Sequence, residues 1–304
     1  MKVLVIGRSG QLARELLRCA WPDDMHLHIV GRPEVDVTNR NTLTVAIATI
    51  QPDIIVNASA YNAVDRAESE GDSAFAVNQA GVRNLALEAL HHGIPLIHVS
   101  TDYVFDGRST RPWKEDDKPN PLSTYGRSKL AGEREIQTIL PMHVILRTSW
   151  LFAAHGQNFV RTMLRLGAER DSLSIVDDQI GCPTAAADLA DTISRIAGSL
   201  ISERARFGVY HYAGAGAVSW FEFANRIFAE SRDILPKSPS LRAITTAAFG
   251  APAARPSYSV LDCRKIEHTF GIATKPWTSA LEEVLREIRS ETPDLPGSRG
   301  TGRP

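Results

Sequence analysis

"VLVIGRSGQLARELL", Val3–Leu17, decides the fold. An apolar, β-branched run stops at Gly7, and Leu12, Leu16 and Leu17 then recur at helical spacing. A buried strand therefore turns directly into a helix. The turn reads Gly7-x-x-Gly10-x-x-Ala13. Gly7 permits a tight turn, Gly10 lets a pyrophosphate approach the backbone, and Ala13 is small enough for the helix to lie on the strand. A helix N-terminus offers free N–H groups and a partial positive charge, which suits an anion. Two glycines alone are also what a structural turn needs; the strand–turn–helix setting favours a dinucleotide.

Working outward, "LHIV" (27–30), "DIIVNAS" (53–59), "PLIHVS" (95–100) and "HVILRTSW" (143–150) are four more short apolar strands. Helical periodicity fills 39–50 and about 71–92 between them. Apolar strands alternating with amphipathic helices are buried on both faces, as in a parallel sheet. Right-handed crossovers then give an α/β fold, a doubly wound Rossmann-type parallel sheet. Ligands of that fold lie beyond the C-terminal strand ends, where "GRSG", "NASAYN", "STDY" and "TSW" all fall. Residues 1–150 read as the NAD(P)-binding domain. Residues 151–290 read as a smaller α/β substrate lobe, partly interleaved with the sheet, with helices at 157–168, 186–200, 219–231 and 278–290 and strands "LSIV" and "VYHYA". The Pro- and Gly-rich tail, 291–304, is expected to be disordered.

The 304 residues carry a formal net charge of -1, so no global basic field draws in nucleic acid or an anionic membrane. The N-terminal apolar run is too short for a signal peptide, and no stretch approaches a membrane span of about 20 apolar residues. Three widely spaced cysteines, Cys19, Cys182 and Cys263, make neither a metal-ligand spacing nor a disulfide framework. Reduced thiols and a cytoplasmic location are expected.

The end of the second strand selects the cofactor. A carboxylate there would hold a ribose 2′-OH, and a basic residue a 2′-phosphate. "IVGRPE" places Arg32 there, with Arg8 as a second candidate. Guanidinium suits phosphate, which tilts the reading to NADPH. Alternatively Arg32 is a solvated loop residue and Glu34 or Asp36 serves NADH. Asp36, followed by Val37, could also accept from an adenine amine. Asn57 and Asn78 read equally well as site residues and as bridges between elements.

Tyr125 and Lys129, four apart in "NPLSTYGRSKLAGE", share a helix face. By itself this spacing favours an ordinary solvated helix face over chemistry. A tyrosine is a poor acid at neutral pH, and an adjacent ammonium together with a cationic nicotinamide ring would lower its pKa. Such a phenol could protonate a carbonyl oxygen as hydride arrives. Ser100 and Thr101 end the preceding strand, with Asp102 and Tyr103 following into the same mouth.

These features, with "GRSGQLA", "NASAYNAVDRAESE", "STDYVFDG", "RTSWLF", "DDQIGCPT" and "ARPSYSVLD" in order, resemble the dTDP-4-dehydrorhamnose reductase family of extended short-chain dehydrogenase/reductases over about residues 2–290. The resemblance implies reduction of a dTDP-4-keto-6-deoxy sugar by NADPH, with NADH left open. It makes Tyr125 the proton donor, Lys129 the ribose-binding cation and Thr101 the group polarising the keto oxygen. Gly7, Gly10, Gln11, Leu12, Asp36, Val37, Ala60, Tyr61 and Asn62 would line the cofactor. Asp102, Tyr103, Trp150 and Asn158 would contact the sugar. Arg255 is either a diphosphate ligand or a surface arginine, and "RAESE" is a charged face with no assigned chemistry. Asn62 stands where the family often has threonine, and Phe152 where tyrosine is frequent. A homodimer, bridged in some members by Mg2+ through glutamates, is left open. Glu15 matches that pattern, Asp188 is a shortened version and Glu287 an uncertain match, so no metal is expected. Two other outcomes fit the resemblance: reduction of a different deoxyhexose, or a non-catalytic NADP-binding subunit like the regulator of methionine adenosyltransferase.

Overall fold

The computed structural model describes residues 1–202, 206–235 and 237–291. β1 (Lys2–Ile6) passes through the glycine turn into α1 (Gln11–Arg18). β2 (His26–Val30), α2 (Arg40–Ile50), β3 (Ile54–Asn57), β4 (Leu96–Thr101) and β5 (His143–Thr148) continue the alternation. These five strands and Gly208–His211 form one sheet, in the order Gly208–His211, β5, β4, β3, β1, β2, with every pairing parallel. The order reverses between β1 and β3, so the glycine turn opens on the crevice at that switch point. The edge strand shows why the late part of the chain interleaves with the sheet. Tyr210 lies beside Leu146 in register, and its ring joins the same buried cluster.

Successive strand residues face opposite ways. Val3, Val5, Ile54, Val56, Ile97, Val144 and Leu146 meet Leu12 and Leu16 of α1 and Leu189, Ile193 and Ile196 of helix Ala186–Ser202. Leu4, Ile6, Ile55, Leu96 and Ile145 meet Leu43 and Ile47 of α2, Leu85 of helix Val82–His92 and Ile136 of helix Thr124–Ile139. Each such burial contributes about 1.5–3 kcal/mol. A second core gathers Phe152, Met163, Phe223, Ile227, Leu281 and Leu285 around helices Phe159–Glu169, Trp220–Glu230 and Trp277–Glu291. Glu291 ends the last helix, and the remainder of the tail, 292–304, lies outside the described residues. Among the described residues no helix is long and apolar enough to cross a membrane.

The helix expected over 71–92 is divided. Gly71–Phe75 and Val82–His92 are α-helical, and Ala76–Gly81 between them is a π-turn. A π-turn takes up an extra residue and re-aims side chains. Asn78 lies within it and is buried. Its Oδ1 accepts from the Tyr61 N–H, and its Nδ2 donates to the Tyr61 carbonyl and to Ser128 Oγ, each at 2.9 Å. Hydrophobic periodicity alone does not reveal such a turn.

Candidate active site

Thr101 ends β4, and a short turn, Asp102–Val104, follows at once. Thr101 Oγ1 caps that turn by accepting from the Tyr103 N–H at 3.2 Å, and it donates to Asp102 Oδ1 at 3.1 Å. Opposite lies the first turn of helix Thr124–Ile139. Ser123 Oγ accepts from the Gly126 N–H, while Glu68 accepts from both the N–H and the hydroxyl of Thr124, at 2.7 and 2.9 Å. A carboxylate also complements the positive end of the helix. So pinned, the helix sets Tyr125 edge-on to Tyr103, ring centroids 5.9 Å apart, on the side of Thr101, whose hydroxyl is the one influence that lowers the phenol's pKa. The structure thus brings Thr101, Asp102, Tyr103 and Tyr125 together.

One turn further along, Lys129 is 2% exposed and its Nζ donates to the Val99 carbonyl at 2.7 Å. Burial pulls its pKa down to about 8, against the raising influence of Glu133. Lys129 is not among the groups that shift the Tyr125 phenol in this structure. Burial pushes Tyr125 up to about 12, the Thr101 hydrogen bond pulls it back in part, and the Asp102 carboxyl adds to the rise. The ammonium is turned to the Val99 carbonyl, and desolvation of the phenol dominates. Burial also raises Asp102 to about 7, with the Ser259 and Thr101 hydroxyls opposing.

The cofactor end is built on Gly7, whose φ of +119° is left-handed and whose Cβ, if present, would stand 2.8 Å from the Ala58 carbonyl carbon. Gly10 opens α1 with no side-chain cap, so first-turn N–H groups stay free for a pyrophosphate. These features fit a dinucleotide. At the end of β2, Arg8 donates to the Arg32 carbonyl at 3.1 Å and pairs with Glu34 at 3.1 Å, and Arg32 is exposed. Asp36 Oδ1 is engaged by the N–H and hydroxyl of Thr38. Leu12 and Val37 turn their side chains into the core. Ala60, Tyr61 and Asn62 follow β3, with the Tyr61 hydroxyl donating to Glu70 at 2.7 Å.

Two residues expected at the sugar stand on the lobe side. Trp150 has a φ of +45° and stacks on Trp220, ring centroids 3.4 Å apart. Asn158 caps helix Phe159–Glu169, and its Nδ2 donates to Gln11 Oε1 and the Ala153 carbonyl, both at 2.9 Å.

Other sequence readings change. Arg255 is not a surface arginine: it forms a two-pronged pair with Asp65, at 3.0 and 2.8 Å, and reaches Tyr103. "RAESE" is more than a charged face, since Glu68 holds the Tyr125 helix and Glu70 holds Tyr61. Glu15 accepts from His155 at 2.6 Å, Arg18 joins Glu287 at 2.5 Å, and Asp188 joins Lys275 at 2.6 Å. Among the described residues no group of three or more His, Cys, Asp or Glu is placed to hold a metal.

Sequence reading missed a buried layer beneath the site. Glu133 takes Arg147 Nε at 3.0 Å, Arg147 Nη2 at 2.7 Å and Ser100 Oγ at 2.5 Å. Arg147 Nη1 donates to His211 Nε2 at 3.4 Å, and His211 Nδ1 meets the Trp113 carbonyl. Burial, then Arg147, drives the His211 pKa down to about 3. Glu133 lies four residues beyond Lys129, a spacing that could have pointed to it. Nothing local identifies Arg147 as its partner.

The chain matches the model of the RmlD substrate binding domain over residues 1–290. It is 42% identical to a dTDP-4-dehydrorhamnose reductase of Sinorhizobium fredii, covering 97% of this chain and 100% of that one. A Bacillus subtilis spore coat polysaccharide biosynthesis protein, SpsK, is 38% identical over 95% of this chain and 98% of its own. Among solved structures, dTDP-4-dehydrorhamnose reductase from Bacillus anthracis in complex with NADP superposes with a TM-score of 0.87 at 36% identity, covering 94% of this chain and 99% of that one. A glycine turn at the switch point, a Thr–Tyr–Lys set at the end of β4 and a match that runs through both cores have one common account: the chain belongs to the RmlD substrate binding domain family.

Proposed function

We propose that the protein is an NADPH-dependent dTDP-4-dehydrorhamnose reductase, which turns the 4-keto group of dTDP-4-dehydro-L-rhamnose into the hydroxyl of dTDP-L-rhamnose. The observation that carries this reading is the meeting of the Thr101 hydroxyl, the Tyr125 phenol and the buried Lys129 ammonium at one strand end. A nicotinamide dinucleotide held over the glycine turn at Gly7 and Gly10 would supply a hydride for C4. Thr101 turns its proton from Asp102 to the keto oxygen and polarises the carbonyl. Tyr125 is fully protonated at neutral pH, since burial holds it near 12, so the donor is always loaded. It passes that proton to the oxygen as negative charge develops there. An alkoxide is a stronger base than a phenolate, so the transfer runs downhill. Solvent then returns a proton to the phenolate, while Lys129, held on the Val99 carbonyl, would bind the cofactor ribose.

Asp102, Tyr103 and Trp150 hold the sugar in this reading. Arg8 and Arg32 favour NADPH, since Glu34 is tied to Arg8. Three unpaired cysteines suit a cytoplasmic location.

The test supplies dTDP-4-dehydrorhamnose, made in place from dTDP-4-keto-6-deoxyglucose by an epimerase, and follows NADPH oxidation. Turnover is expected, with Tyr125→Phe slower by at least about 100-fold while still binding NADPH. A Tyr125→Phe enzyme with wild-type turnover would remove the proton donor from this scheme. Oxidation only with a different dTDP-4-keto sugar would change the substrate. NADPH binding without oxidation by any such sugar would leave a regulatory subunit.

A further inference from the structure

Three charged side chains beneath Tyr125 are almost wholly removed from water. Lys129, Glu133 and Arg147 are 2%, 0% and 3% exposed. Tyr125, Lys129 and Glu133 follow one another at intervals of four along one face of helix Thr124–Ile139. An ammonium buried against a single carbonyl has given up its hydration, so a neighbouring anion decides how well it is held.

The groups facing Lys129 can be taken in turn. From its own helix come Tyr125, a neutral phenol, and Glu133. From β4 comes His98, whose Nδ1 meets Asn57 Nδ2 at 3.0 Å. Asn57 Oδ1 already accepts from the N–H and hydroxyl of Ser59, so Nδ2 is the donor and His98 carries its proton on Nε2. Burial, with Lys129 as a lesser cause, keeps that imidazole neutral. From β5 comes Arg147, a second cation, with neutral His211 behind it. Asp102 bears on Thr101 and Tyr125, and Lys129 is not among the groups that shift it. Glu133 is therefore the anion set toward Lys129: it lies one helical turn on, and it accepts from Ser100, the residue next to the Val99 whose carbonyl receives the ammonium, without making a direct ion pair with Lys129. Its carboxylate is fixed from the other side by Arg147 and Ser100.

We propose that Glu133, locked by Arg147 and Ser100, is a positioning residue for the reduction: its carboxylate fixes the charged end of Lys129 beneath Tyr125. The proposal rests on the reductase reading for the task it gives Lys129.

Three variants test it, Glu133→Gln, Glu133→Asp and Glu133→Gln with Arg147→Gln, beside Lys129→Met as the control that identifies the alkaline limb. NADPH affinity and kcat are followed from pH 6 to 10. In Glu133→Gln the alkaline limb is expected to move down by about one pH unit, the low end of what a nearby charge does. That is about a tenfold loss near pH 9 and little at pH 6.5. Glu133→Asp keeps the charge and returns the limb toward wild type, even with a lower melting temperature. The double variant removes Arg147 together with its carboxylate partner, so it folds where the single Gln fails; having also lost a cation that faces Lys129, it carries a smaller shift in the same direction. A limb unmoved in folded Glu133→Gln, or in the double variant, overturns the proposal and leaves Glu133 a purely structural tie. Absence of turnover in the wild type would instead sink the reductase reading, and the binding limb would still decide this one.

Discussion

β4 and β5 turn two unlike faces to the molecule. On one, Ile97, Val144 and Leu146 join α1 and helix Ala186–Ser202 in an apolar cluster. On the other, His98, Ser100 and Arg147 lie under helix Thr124–Ile139 in a hydrogen-bonded layer, of which His98 Nε2 alone is left without a partner. The register carries the layer across the sheet, with Asn57 beside His98, Ser100 beside Arg147 and Arg147 beside His211. Both faces exclude water, and they differ in tolerance. A dry face needs volume and shape, whereas a buried polar layer needs every partner present.

The largest expected effect sets one face against the other. Arg147→Ala strands the Glu133 carboxylate and is expected to cost about 3–5 kcal/mol in chemical denaturation. Leu146→Ala, the residue before it, leaves a cavity worth about 2–5 kcal/mol. The contrast lies in activity at a temperature where both are folded: the leucine variant keeps its kcat, and the arginine variant loses it. Equal loss in both would dissolve the distinction between the faces.

Asn78→Ala comes next, at about 1–3 kcal/mol, because the Tyr61 backbone and Ser128 lose a buried partner. The readout that sharpens the comparison is NADPH affinity, which should fall with stability since Tyr61 follows β3 at the cofactor end.

Titration gives the smallest effect per unit. His98 and His211 are held neutral, their pKa values well below 6.5, to about 3 for His211. The unfolded chain binds these protons below about pH 6.5 and the folded chain does not, so stability is lost as pH falls from there. Each histidine contributes about 1.4 kcal/mol per pH unit. Denaturation at pH 6.5 and 5.5 should show the loss in the wild type, and His211→Gln should show about half of it. A wild type indifferent to pH across this window would contradict the neutral assignment.

How much of this was legible follows the same division. β1, α1 and the glycine turn were legible because period and turn chemistry are local, and "KVLVI" is the observed strand, Lys2–Ile6. Thr101, Tyr125 and Lys129 were legible as a set because a strand end and one helix turn supply them. The polar layer was not. Arg147 reads as the polar end of an apolar strand, and its partner lies 14 residues away on a helix whose position is set by packing. Glu68 reads as a surface charge, yet it holds Thr124 across 56 residues. The desolvation of Tyr125 escaped for a related reason, since residue identity announces a nearby charge but not the extent of burial.

The π-turn at Ala76–Gly81 has a consequence for how the chain can change in length. An α-helix advances about 100° per residue, so deleting one residue there would swing Leu85 and Ala89 off the sheet by that angle. The facing helix offers no room to absorb the slip, because a Cβ on Gly132 would already stand 2.0 Å from the Asn78 carbonyl oxygen. This segment therefore acts as a fixed-length ruler between the two ends of the site, tolerant of substitution at its one exposed position, Ala80, and intolerant of a single insertion or deletion.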